Sequence, residues 1–142
     1  MKKLFLSLMF LSGFAVASSE IKRSSEEQER LEALCERISR ARRCYISHRI
    51  IENLSRPKFV QWSKEAGHEE KYCKYMKRFQ QELRNLNCDE VGIEETQFRA
   101  LNKEFKLLFP EVGLNFLWDQ NIKYTEQRDI ELDRSLEKSE VK

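Results

Sequence analysis

The residues whose chemistry is most specific here are four cysteines, Cys35, Cys44, Cys73 and Cys88, and two histidines, His48 and His68. Cys44 and His48 stand one helical turn apart, and His68 and Cys73 follow beyond a loop, so two sulfurs and two nitrogens could form a tetrahedral zinc set. The second pair is five residues apart, however, which takes it off one helical face, and thiols in an exported chain oxidise before they collect metal. Disulfides are therefore expected, with no metal and no cofactor.

Cys35 and Cys44 cannot bond to each other. Nine residues of helix separate them by about 13.5 Å along the axis, beyond the reach of about 7 Å between α-carbons. Two connectivities remain. Pairing Cys35 with Cys73 and Cys44 with Cys88 requires the link from Leu54 to Glu69 to descend about 34 Å, while its roughly fourteen mostly helical residues span about 21 Å. The nested pairing, Cys35–Cys88 with Cys44–Cys73, is preferred, although an extended link would still permit the other.

The expectation of export comes from the beginning of the chain. Lys2 and Lys3 precede an apolar run from Leu4 to Phe14 and the small residues Ala15-Val16-Ala17, the pattern of a signal peptide cleaved after Ala17. The run is too short for a membrane span, and no later segment is apolar enough to be one. Residues 1–17 are thus read as a leader, 18–124 as a disulfide-stapled helical domain, and 125–142 as a charged, frayed or disordered tail. The destination is the extracellular space, or the periplasm in a bacterium.

The positioning elements read as helices throughout. Ser25 with Gln28 offers a capping box for a first helix reaching Leu54, with apolar positions Leu31, Leu34, Ile38, Tyr45 and Ile46. Ser55-Arg56-Pro57 closes that helix and opens a short one to about Ala66, ended by Gly67. Tyr72, Met76, Phe79, Leu83 and Leu86 step by four and three, which predicts a helix from about Glu69 to Leu86. Phe98, Leu101, Phe105 and Leu108 predict another from about Ile93 to Phe109, stopped by Pro110. A further helix follows Gly113. Most aromatic side chains fall on these stripes and are expected in the core. The fold class is all-α, a small irregular helical bundle stapled by two disulfides.

The charges of the chain are uneven. Residues 37–88 hold 13 Lys or Arg against 5 Asp or Glu, whereas residues 89–142 hold 8 against 13. With Lys2 and Lys3 removed, the remaining charge balances, so bulk charge does not support nucleic-acid binding. The basic middle does suggest a partner surface, with Arg42, Arg43, Lys71, Lys74, Tyr75, Lys77 and Arg78 as candidates; Tyr75 falls off the apolar stripe and reads as an exposed aromatic. Asn53-Leu54-Ser55 is a glycosylation acceptor at a helix end. No nucleophile elbow, phosphate loop or zinc-protease pair is present, and catalysis is not expected. The functional expectation is an exported interaction protein presenting a basic surface to a protein or an acidic glycan or lipid surface. A secreted helical carrier of a small apolar ligand is the alternative.

Overall fold

The structure, a computed structural model, describes residues 23–141, with side chains through residue 138, and the expected leader lies outside them. Five α-helices account for the described elements: α1 (Ser25–Leu54), α2 (Pro57–Glu65), α3 (Glu69–Asn85), α4 (Val91–Leu108) and α5 (Leu114–Val141). The described residues divide into two compact units, one ending at Glu32 and the other beginning at Ala33. In the first unit the capping box is set one residue before the expected position. The Glu27 N–H donates to Ser24 Oγ at 3.1 Å, and the Ser24 N–H donates back to Glu27 Oε1 at 3.4 Å.

Leu34, Ile38 and Ala41 of α1 are buried, as are Leu86, Leu101, Phe105, Phe109 and Leu132. These residues sit at helical spacing on their elements, so one face of each is removed from water. Pro57 opens α2 at its first turn, where a missing N–H costs nothing, and Gly67 takes φ of 74° to turn the chain into α3. A side chain at Gly67 would be strained by that φ alone, although no heavy atom lies within 4 Å of where its Cβ would be.

α1 and α3 run antiparallel, and two side-chain contacts fix their register. The Tyr72 hydroxyl donates to the Leu54 carbonyl at 2.5 Å, and Arg40 donates to the Leu86 carbonyl at 2.7 and 3.1 Å. Between these contacts lies an ionic cluster. Arg43 Nε faces Glu82 Oε1, and Glu82 is only 2% exposed. The same guanidinium donates to Asp129 Oδ1 at 2.7 Å and to the Thr125 carbonyl at 3.1 Å. Arg78 extends the cluster, meeting Asp133 at 2.8 Å and Asp129 at 3.8 Å.

This cluster corrects the expected tail. Residues 125–141 continue α5 as helix, because Leu132 is buried and Thr125, Asp129 and Asp133 hold arginines of α1 and α3. Sparse apolar content is compensated by ionic and hydrogen-bonded anchoring to partners elsewhere in the chain.

Removing Glu82 would take the carboxylate from the Nε edge of the mostly buried Arg43 and leave Asp129 and the Thr125 carbonyl on the other edge. Glu82→Ala is expected to lower unfolding stability by about 1.5–3 kcal/mol, read by chemical denaturation. Arg49→Ala, which breaks an exposed pair with Glu52, is expected to cost less than about 1 kcal/mol.

Candidate functional site

Two adjoining depressions mark the α2–α3 face. One, of about 430 Å³, is lined by apolar and aromatic groups of α1, α2 and α3, among them Leu54, Phe59, Trp62, Tyr72, Tyr75 and Phe79. Phe59 and Trp62 meet edge to face with ring centroids 5.5 Å apart, and the His68 ring lies 5.5 Å from Trp62. The other, of about 750 Å³, is lined by Lys71, Lys74, Tyr75, Lys77, Arg78, Gln81, Arg84 and Leu136. Lys71 and Tyr75 belong to both. No acidic residue lines either depression.

The local sequence explains this arrangement. Lys71, Lys74, Lys77 and Arg78 recur at three- and four-residue intervals, so α3 carries them on neighbouring turns of one side. Pro57 sets the direction of α2, and the left-handed Gly67 folds it back against the start of α3. Phe59 and Trp62 are thereby brought beside Tyr72 and Tyr75. Trp62 is 53% exposed and Tyr75 57%. Most aromatic side chains are expected in the core, but Trp62 and Trp118 are exposed, because α2 is too short to be covered and Trp118 lies under the Arg42 guanidinium.

Of the seven residues expected at a partner surface, the structure gathers Lys71, Lys74, Tyr75, Lys77 and Arg78. Arg78 is engaged by Asp133, which leaves the three lysines without a carboxylate within 4 Å among the described residues. Arg43 does not join them, since it is drawn inward to Glu82 and Asp129. Arg42 does not join them either, and its guanidinium lies 5.9 Å over the Trp118 ring. Linear charge counting could not separate these arginines from the lysines; the burial of Glu82 on the opposing helix decides it.

The cysteines also depart from expectation. The disulfide is Cys44–Cys88, with α-carbons 5.7 Å apart, in place of Cys35–Cys88 and Cys44–Cys73. Leu54 is level with Tyr72 and Arg40 with Leu86, so Cys44 is level with about Glu82. Cys73 then stands nine residues away, about 13.5 Å along the helices, and is exposed. Cys35 is buried on α1. The chain past α3 turns back at Asn87, with φ of 50°, and delivers Cys88 to Cys44. Arg40 donates to the Leu86 and Asn87 carbonyls, and His48 donates from Nε2 to the Asp89 carbonyl at 2.7 Å. Arg40, Cys44 and His48 are four residues apart, so one face of α1 grips the corner between α3 and α4. Glu94, fully buried, completes it by accepting from the Asp89 N–H at 2.7 Å and lying 3.6 Å from Arg40. The four atoms once considered for zinc are not a set, because Cys44 is bonded and His48 serves the corner.

Two titrations are displaced. Burial raises the Tyr124 phenol above its ordinary value, with Glu36 adding to the rise and Arg128, Arg40 and Arg43 opposing it. Arg99 is raised by the hydrogen bonds it donates to Glu95 and by the charge of that carboxylate. Asn53 is exposed at the end of α1, beside Ser55, whose hydroxyl donates to the Ile51 carbonyl. Comparison of the chain with models of protein families, with curated proteins and with solved structures finds no match.

A non-reducing peptide map should show one Cys44–Cys88 cross-link and ready alkylation of Cys73 in the native protein; a Cys44–Cys73 cross-link would refute the register. For a bond spanning 44 residues, its removal as Cys44→Ala/Cys88→Ala is expected to cost about 4 kcal/mol by loop entropy. The raised Tyr124 favours its neutral form in the fold, so the unfolded chain ionises first and stability falls as pH rises above about 10. Tyr124→Phe should flatten that alkaline slope, measured by denaturation across the range.

Proposed function

We propose that this chain is an exported interaction protein that docks an acidic protein segment on its α2–α3 face. Apolar side chains of the segment enter the aromatic groove, and its carboxylates meet Lys71, Lys74 and Lys77. One observation carries the reading: a groove with exposed Phe59, Trp62 and Tyr75 adjoins a depression lined by three lysines that have no carboxylate within 4 Å among the described residues. Exposed aromatic groups in a concave site are the usual anchors of protein association, and surrounding charge steers the encounter.

An acidic glycan would use the lysines but leave the aromatic groove in water. A flat anionic lipid surface would not fill a concavity behind the rim. A peptide segment with alternating acidic and apolar side chains satisfies both halves. Export is supported by the leader-like residues 1–17 and by the Cys44–Cys88 disulfide, a bond that persists in oxidising compartments. No helix among the described residues is long and apolar enough to cross a membrane. Glycosylation at Asn53, in a host that performs it, would be compatible with docking because Asn53 lines neither depression.

The test begins with cross-linking capture by the intact protein, followed by synthesis of the captured protein's acidic segment as a peptide. Binding of that peptide should fall by about tenfold or more for Trp62→Ala and for Lys71→Glu/Lys74→Glu/Lys77→Glu, each change removing at least one strong contact. It should also weaken with salt. A peptide bound equally by both variants refutes the site. Binding of the wild type to vesicles containing phosphatidylserine, lost in the same variants while no peptide binds, would replace the protein partner with a membrane.

A further inference from the structure

A second pocket, of about 340 Å³, lies where α1, α4 and α5 meet. Its apolar wall includes Phe98, Leu117 and Trp118, and its polar groups are Ser39, Arg42, Asn102 and Asn121 together with Asn115. None of the lining residues is acidic. This volume falls within the range of small-molecule sites, which pair apolar walls with a few convergent polar groups.

Three features of the lining favour a negative charge inside it. Arg42 is half-buried, lies over Trp118 and has no carboxylate within 4 Å among the described residues. α5 begins at the pocket with Leu114 and Asn115, and its first turn contains no acidic residue, so the positive end of a long helix lies in the lining. The Ser39 hydroxyl, in a side chain 1% exposed, has no hydrogen-bond partner, and a buried donor without one is costly.

We propose that this pocket binds a small organic carboxylate with an aromatic or aliphatic body, its carboxylate held by Arg42 and the first turn of α5 and its body packed on Trp118, Phe98 and Leu117. The site is separate from the α2–α3 face: it shares no lining residue with either depression there. It therefore stands or falls independently of the docking proposal.

The probe is 3-phenylpropionate, with 3-phenylpropionamide as its uncharged counterpart, titrated into the intact disulfide-bonded protein. Binding is followed by the indole N–H resonances of Trp118 and Trp62. The acid should shift Trp118 saturably and leave Trp62 unmoved, and the amide should bind about tenfold or more weakly because it forfeits the charge-assisted contacts. Arg42→Met should weaken the acid alone. Asn115→Asp places a carboxylate at an exposed position in a helix first turn, where folding is not threatened, and should also weaken the acid alone. Equal binding of acid and amide, shifts confined to Trp62, or acid binding unchanged by both variants would overturn the proposal.

Discussion

Arg43 is the constraint around which residues 33–142 are arranged. A guanidinium that is mostly out of water must be matched in charge and in hydrogen bonds, and no single helix supplies both. Glu82 comes from α3, while Asp129 and the Thr125 carbonyl come from α5. Three helices therefore have to converge at one depth. Such a pair contributes less to net stability than to specificity, because an apolar replacement of equal volume would also be tolerated. What it does exclude is any packing that places Glu82 or Arg43 against an apolar wall. A one-turn slip of α3 along α1 would do that.

The register set in this way determines the rest. With Arg43 beside Glu82, Arg40 reaches the Leu86 and Asn87 carbonyls just past the end of α3, where a cation supplies donors to backbone groups of the turn. The chain leaving α3 turns through Asn87, and Cys88 comes to lie beside Cys44. His48 and Glu94 then take up the polar backbone of the same corner. The disulfide is thus one of several ties on a corner already specified by charge. At the other end the same register puts Tyr72 beside Leu54, which leaves α2 only a narrow space against the start of α3. The aromatic groove is a consequence of that crowding: α2 has nine residues, too few to bury Phe59, Trp62 and the groups behind them.

The helices themselves were legible in the sequence, and for local reasons. Pro57, Gly67, Pro110 and Gly113 act on φ and on backbone donors, so they mark ends without reference to anything distant. The stripe from Tyr72 to Leu86 needs only a period near 3.6. Contacts that depend on two distant segments were not legible. The preferred cysteine pairing failed because it compared lengths of links, whereas the register is set by Arg40, Arg43 and Tyr72, whose partners are more than fifteen residues away. The tail was misjudged because apolar content was the measure. Leu132 alone would not hold residues 125–141, but Asp129 and Asp133 find arginines that already require counter-charge. Within the candidate surface, Lys71, Lys74, Tyr75 and Lys77 could be found from spacing on one helix. Arg42 and Arg43 could not be assigned, since adjacent residues on α1 point about 100° apart and reach different neighbours.

The uneven distribution of charge along the chain acquires a physical meaning from these placements. The excess of basic residues between positions 37 and 88 is consumed in part inside the fold, where Arg40, Arg43 and Arg78 meet Glu94, Glu82, Asp129 and Asp133. Most of those carboxylates come from the acidic final third, so much of the sequence asymmetry is the signature of α5 and α4 packing onto α1 and α3. Arginine holds these internal positions, as its fixed planar donors suit several acceptors at once. Lysine holds the positions left over. Lys71, Lys74 and Lys77 are compact charges on flexible stems, exposed along the depression that adjoins the aromatic groove. At these positions arginine carries charge that builds the fold and lysine carries charge that stays available at its surface. Arg42 differs from Arg40, Arg43 and Arg78: its guanidinium lies over Trp118 and has no carboxylate within 4 Å among the described residues. By the same rule, its donors call for a planar anion brought from outside the chain.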